Sequence, residues 1–238
     1  MTAKTTEVAT TKPAPSFLAA TNATPDFLKE GGRGNENVGD NIEIPRIKLL
    51  QKMNDEVDKH HANYIEGAQP GQFLNVLSKE LHDEVYVISV NFRVEYVIWR
   101  KREAGGGKQG TFDSRQEAVN WIAEQPEKDQ ATFDLSENHQ HLLLCYDQET
   151  GALRNTPCIM DFSGSKLRVS KNWNSKILER GGDRFSTIWK FKPQIQSNDK
   201  GSWVNIAADY MGFVANENDY KQAEELYLKA NRRAVLKH

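Results

Sequence analysis

The longest regular pattern of hydrophobic and polar positions covers residues 84–100. Its first half, EVYVISV, is almost continuously apolar, and its second half, FRVEYVIW, alternates between apolar and polar side chains. A period of two places successive side chains on opposite faces of a β-strand, so one face packs on a core and the other meets solvent or a ligand. Arg93 and Trp99 then lie on the face opposite Phe92. Because only Asn91 separates the halves, the pattern predicts a strongly twisted or bulged strand pair.

Shorter apolar segments predict the remaining strands. Order is expected to begin at Ile42, and Pro45 makes the first segment an edge strand or an extended lead-in. The segments are IEIPRIKLL, HLLLCYD, TPCIMDF, RFSTIWKFK and, after the hairpin turn NDKG, residues 203–207.

Three helices are predicted between and after these strands. Ser114 followed by Glu117 has the form of a capping box, which begins a short helix. Ser165 is a candidate N-cap for a helix over residues 166–179. Residues 218–236 repeat apolar side chains at three- and four-residue steps, as an amphipathic helix does.

Together these elements predict a mainly β chain with helical insertions, built as an OB-like small antiparallel barrel. Other α+β sandwiches remain open. Residues 1–40 are predicted to be a disordered N-terminal arm, because they are rich in small polar residues and prolines. Residues 41–215 form the predicted OB-like nucleic-acid-binding domain, with an acidic helical insertion over about 111–138. Residues 216–238 form the amphipathic C-terminal helix.

Composition excludes several classes of protein. No apolar run approaches a membrane span, and the N-terminus lacks the apolar core of a signal peptide. Five Trp, seven Tyr and ten Phe are too many for a wholly disordered chain. Two cysteines do not make a disulfide scaffold, and they fit a reducing, cytoplasmic location.

Charge is unevenly distributed along the chain, although the net charge is only -2. Residues 164–192 contain eight basic and two acidic side chains, whereas residues 111–150 contain nine acidic and two basic ones. This asymmetry predicts a basic binding surface on an otherwise neutral protein. The alternative is that both segments are ordinary solvated faces.

The sequence shows no recognisable catalytic motif. It contains neither a phosphate-binding G-x-x-x-x-G-K-[ST] loop nor a G-x-S-x-G nucleophile elbow. His139, His141, Cys145 and Cys158 lack the close paired spacing of a zinc site. We therefore expect a non-enzymatic protein with no metal and no cofactor.

Basic residues interspersed with aromatic residues on predicted strands and a predicted helix are the strongest functional signal. Single-stranded nucleic acid requires cations that follow its phosphates and flat side chains on which its bases stack. The candidate binding residues are Arg93, Trp99, Arg100, Lys101, Lys166, Arg168, Lys171, Trp173, Lys176, Lys190, Lys192 and Lys200.

Several segments resemble a family of bacteriophage replication-module proteins. They are IPRIKLLQ, IEGAQPGQFLN, VYVISVNFRVEYVIWRKREAGGG, KLRVSKNWNSKI and NDKGSW, and together they cover about residues 42–214. This family is similar in overall pattern to phage single-stranded-DNA-binding proteins with an OB-fold. The resemblance implies non-catalytic binding and protection of single strands during phage DNA replication or recombination, in the host cytoplasm.

The chain departs from that family at its end, NRRAVLKH, which is basic where many such proteins carry an acidic tail. We therefore assign recruitment of replication or recombination proteins to the acidic insertion as a hypothesis. One alternative function is a protein-interaction module, such as an inhibitor or recombination mediator that binds a replication or nuclease partner. A nuclease with unrecognised acidic residues is a third hypothesis, and the sequence leaves a homo-oligomer open.

Overall fold

The computed structural model describes residues 43–199 and 201–235, with side chains up to residue 231. The predicted N-terminal arm and Lys200 lie outside these residues. The described strands are β1 (Ile47–Leu49), β2 (Phe73–Asn75), β3 (Leu81–His82), β4 (Val85–Arg100), β5 (Lys108–Phe112), β6 (Phe133–Cys145), β7 (Cys158–Ser163), β8 (Thr187–Asn198) and β9 (Gly201–Phe213). The α-helices are α1 (Arg115–Ala123), α2 (Glu127–Gln130), α3 (Lys166–Arg180) and α4 (Glu217–Val235). The prediction of a mainly β chain is confirmed.

Strand β4 is the centre of a six-stranded antiparallel sheet. The strand order is β7-β6-β4-β8-β9, and β5 pairs with the far end of β4. The pairing of β4 with β6 shifts register between Ser89 and Asn91. This shift confirms the predicted bulge. The two predicted half-strands are continuous across it and form one strand of 16 residues.

One hydrophobic core lies between this sheet and α3. Val85 and Val87 on β4 lie opposite Phe191 and Trp189 on β8. These side chains and the buried face of α3 belong to one cluster of buried residues. The same cluster includes Ile47 and Leu49 of β1, so the core continues under the small sheet β1-β2-β3.

A second core lies between the sheet and α4. Ala223 of α4 is buried in one cluster with Ile88, Val90 and Leu144. Residues 88 and 90 face this core because they alternate along β4 with residues 85 and 87, which face the first core. The amphipathic helix predicted at the C-terminus therefore packs within the chain.

The main sheet does not close into the predicted barrel. Strands β7 and β9 are the ends of its strand order in the part of the chain that is described. The first strand is too short to complete both ladders, and Pro45 before it has no N–H to donate. The residues on either side of this strand nevertheless contact both edges: Ile159 N donates to Pro45 O at 2.8 Å, and the Gln51 amide pairs with the backbone of Val204.

The two predicted helix caps have different outcomes. Ser114 and Glu117 form the complete capping box of α1, as predicted. The prediction for Ser165 is wrong, because its backbone is already helical (φ -62°, ψ -22°) and its side chain makes no capping bond. Among the described residues, no helix is long and apolar enough to cross a membrane.

Candidate nucleic-acid interface

A polar groove lies between α3 and the edge strand β9. Trp173 and Ile177 bury one side of α3 in the core, and Arg168 and Lys176 are exposed on the part of the helix that borders β9. The groove has a volume of about 380 Å³. Its polar lining residues come from α3, β8 and β9 and are Ser165, Arg168, Asn172, Lys176, Gln194, Gln196, Asn205 and Asp209.

Side-chain amides shape the wall of this groove. Asn205 is buried, and its amide donates to Gln196 Oε1 at 2.9 Å and to Ser165 O at 3.3 Å. Lys176 Nζ donates to Ala208 O at 3.3 Å, which draws the amine towards the edge strand. The groove combines two cations and several amide groups with one carboxylate, that of Asp209. Cations and amides along one groove suit an extended anionic polymer.

Both predicted lysines of β8 are paired with carboxylates. Lys192 Nζ lies 2.6 Å from Asp209 Oδ2, and Lys190 Nζ lies 3.4 Å from Glu84 Oε2. The hydrogen bond between Lys192 and Asp209 raises the pKa of the amine and lowers the pKa of the carboxyl. Asp209 lines the groove, so Lys192 is placed beside it, whereas Lys190 lies towards a different cavity.

That second cavity has a volume of about 460 Å³. It is walled by Tyr86, Tyr146, Ile188 and Met211, and the segment after β6 contributes part of its rim. The Lys190 amine lies 5.8 Å from the centre of the Tyr86 ring.

Trp99 forms a separate corner at the end of β4. Its side chain is 45% exposed, and it lies opposite Lys108 on β5. Lys101 Nζ donates to Ala131 O at 2.8 Å and lies 3.8 Å from Asp134. The Arg100 guanidinium lies 6.0 Å from the centre of the Phe133 ring. Trp99 has the exposure that base stacking requires, and its stacking role stays a prediction.

Arg93 belongs to a ladder of polar side chains across β4, β6 and β7. Arg93 Nη2 lies 2.5 Å from Glu95 Oε1, and its Nε donates to Gln140 Oε1 at 2.9 Å. Gln140 in turn donates to Asp161, which pairs with Arg46. The predicted cation at position 93 is therefore held by a neighbouring carboxylate.

Two other predicted lysines of α3 also face carboxylates. Burial lowers the pKa of Lys166, although the charge of Asp161 acts in the opposite direction. Lys171 Nζ lies 3.6 Å from Glu137 Oε1.

Trp173 does not lie at a surface where a base could stack. Its side chain is fully buried, with its ring stacked 4.5 Å from His141 and edge-on to Phe191 at 4.8 Å. The assignment of Trp173 to the binding site is therefore corrected. Its size and its position in the middle of the α3 apolar face make it part of the core.

Sequence analysis missed a buried polar network beneath α3. Ser170 Oγ lies 2.9 Å from His139 Nδ1 and 2.8 Å from His141 Nε2. Arg184 donates to His141 Nδ1 at 3.1 Å and to Ser89 Oγ at 2.8 Å. The alternating histidines of β6 were visible in the sequence, but their partners come from distant α3 and residue 184.

This network lies inside the core, because His141 and Ser170 are fully buried. Burial, with a contribution from the charge of Arg184, holds the pKa of His141 well below its usual range. Burial also lowers the pKa of Arg184 to about 10, so the guanidinium remains charged at neutral pH. The described residues contain no group of three or more metal-ligating side chains that could hold an ion.

A family model described as Pam3 phage gp34-like protein matches residues 18–235. No curated protein and no solved structure matches the chain significantly. The match confirms the phage part of the predicted resemblance. The chain belongs to the Pam3 phage gp34-like protein family.

Proposed function

We propose that this phage protein binds single-stranded DNA without catalysis and protects it during phage DNA replication or recombination. The observation that carries the proposal is the polar groove between α3 and β9, which Arg168 and Lys176 line together with several side-chain amides. Cations and amide donors along one groove bind phosphates with little dependence on sequence.

The fold supports the same proposal. The main sheet does not close into a barrel, and its open edge strand β9 forms one side of the groove that α3 borders on the other. Phosphates are captured in the groove, with Lys192 beside it. Trp99, with Arg100 and Lys101, adds a stacking surface at the end of β4.

The first test is fluorescence anisotropy with a labelled oligo-dT of about 30 nucleotides, compared with a duplex of equal length at two salt concentrations. We expect the wild-type protein to bind the single strand more tightly, and to bind it more weakly at higher salt. The Arg168→Ala, Lys176→Ala double variant should bind the single strand about tenfold or more weakly. The slope of log affinity against log salt concentration should become shallower by about 0.7 for each phosphate that the variant no longer neutralises.

The matched control is Lys221→Ala, Lys229→Ala, which removes two positive charges from α4. Both lysines are exposed and pair with glutamates one helical turn earlier. The proposal fails if the wild-type protein binds neither probe. The groove is excluded as the site if the two double variants are weakened to the same extent.

Trp99 and Lys101 are tested separately. The Trp99→Ala, Lys101→Ala variant should bind oligo-dT several-fold more weakly, because a stacked base contributes about 1–3 kcal/mol. Phe213→Ala, Lys221→Ala removes an exposed aromatic ring and a lysine elsewhere and should bind as the wild type does. Unchanged binding by a folded Trp99 variant would remove this corner from the site.

A protein-interaction module is the second candidate function. It is favoured by the exposed carboxylates of α1 and its flanks, Asp113, Glu117, Glu124 and Glu127. These residues would contact a basic surface of a replication, recombination or nuclease protein. A salt-insensitive complex with such a protein, together with no affinity for oligonucleotides, would favour this function over DNA binding.

A further inference from the structure

The two cysteines of the chain lie side by side, although 12 residues separate them in sequence. Cys145 is the last residue of β6, and Cys158 is the first residue of β7. Their Sγ atoms are 3.0 Å apart. In the ladder between these strands Cys158 lies opposite Leu143, so Cys145 is its diagonal neighbour on the same face.

We propose that Cys145 and Cys158 are a redox-active dithiol that a peroxide converts reversibly into an intramolecular disulfide. A disulfide has a bond length of about 2.0 Å, so the two sulfur atoms need to approach by only about 1 Å. Both side chains border the main hydrophobic core, which fixes their relative position.

The order of the chemical steps follows from exposure. Cys145 is partly exposed, whereas Cys158 is buried. The hydrogen bond with Cys145, and then burial, raise the pKa of the Cys158 thiol well above its usual range. A peroxide therefore meets Cys145 first, and Cys158 acts as the resolving thiol.

The reaction balances in two steps. The Cys145 sulfur forms a bond to one oxygen of hydrogen peroxide, the O–O bond breaks, and the leaving hydroxide takes the thiol proton to give water. The product is a sulfenic acid. The Cys158 sulfur then attacks the Cys145 sulfur, the S–O bond breaks, and the hydroxide leaves with the Cys158 proton as a second water. Two electrons pass from the thiols to the peroxide.

The disulfide would close the loop over residues 146–157. That loop is already held at its base, since Tyr146 and Leu153 form a β-bridge, and Arg154 pairs with Asp147 and Glu80. Tyr146 and Asp147 also line the 460 Å³ cavity. Oxidation would therefore restrict the motion of one wall of that cavity.

The test uses the full chain, freed of reductant and treated with hydrogen peroxide. Intact mass spectrometry should show a monomer that has lost two hydrogen atoms. Titration of thiols in denaturant should fall from two per chain to none, and dithiothreitol should restore both. Hydrogen exchange across residues 146–157 should be slower in the oxidised protein.

The single variants Cys145→Ser and Cys158→Ser provide the controls, because each replaces a thiol by a hydroxyl group with little change in side-chain volume. Neither variant should lose two hydrogens, and Cys158→Ser should stop at a sulfenic acid that dimedone traps on Cys145. Wild-type protein that gains only oxygen atoms, or that forms disulfide-linked dimers in place of the monomeric product, would overturn the proposal.

Discussion

At the scale of single residues, His141 is a fully buried titratable side chain with hydrogen-bond partners at both ring nitrogens. Arginine can only donate, so the bond from Arg184 makes His141 Nδ1 an acceptor. Nε2 must then carry the proton and donate to Ser170 Oγ. A second proton on His141 would point at a charged guanidinium inside the core. The neutral imidazole is therefore a structural requirement of the fold.

This requirement predicts a loss of stability in mild acid. The unfolded chain binds a proton at His141 near pH 6.5, whereas the folded chain binds it only at lower pH. Below about pH 6.5 the unfolded state therefore holds more protons. The free energy of unfolding should fall as the pH decreases, by at most about 1.4 kcal/mol per pH unit from this group. Urea denaturation at pH 7.5 and pH 5.0 measures the difference.

His141→Gln should be less stable at neutral pH but should show a smaller loss between the two pH values. His60→Gln, at an exposed position, should keep the wild-type pH dependence. If His141→Gln does not fold, proton NMR of the wild-type protein decides the matter. Titration of the His141 ring with a midpoint near pH 6.5 in the folded protein would contradict the prediction.

At the scale of secondary-structure elements, two serines that look alike in sequence have different roles. Ser114 Oγ accepts from Glu117 N at 3.2 Å, and Glu117 Oε2 accepts from Ser114 N at 3.3 Å. Ser165 also precedes a helix, but its backbone already has helical angles. Ser114→Ala should therefore destabilise the start of α1 by about 1 kcal/mol. Ser165→Ala should leave the start of α3 nearly unchanged.

Hydrogen exchange at the first turn of each helix measures this difference. Amides of α1 should exchange faster in Ser114→Ala, while those of α3 should exchange at the wild-type rate in Ser165→Ala. Equal effects of the two substitutions would show that the cap of α1 contributes nothing specific.

At the scale of the whole molecule, local patterns predicted elements better than they predicted how those elements pack together. The alternation around Arg93 and the single Asn91 were sufficient to predict β4 and its bulge. The exposed position of Trp99 followed from the same alternation. Burial of Trp173 did not follow, because it depends on how α3 lies against β8 and β9. The groove was missed for the same reason, since its amides come from segments about 30 residues apart.

Strand β6 shows the same limit in another form. Its first half, FDLSENHQ, is polar, and the sequence placed most of it in the acidic insertion. The strand nevertheless begins at Phe133, because β4 supplies a continuous ladder of backbone partners on one side. Pairing with a long central strand outweighed weak local preference.

The last prediction concerns the open edge of β9, where the Gln51 side chain takes the place of a neighbouring strand. Gln51 Nε2 donates to Val204 O at 2.9 Å, and Val204 N donates to Gln51 Oε1 at 3.1 Å, as a paired strand residue would. Gln51→Leu keeps the side chain's bulk but leaves both backbone groups of Val204 without these partners. We expect a loss of about 1–3 kcal/mol in the free energy of unfolding and faster exchange of the Val204 amide.

The control is Gln109→Leu, which removes only a 3.3 Å hydrogen bond to Gly107 O at an exposed position and should lower the free energy of unfolding much less. Equal stability of the two variants would mean that β1 is held by its apolar contacts alone.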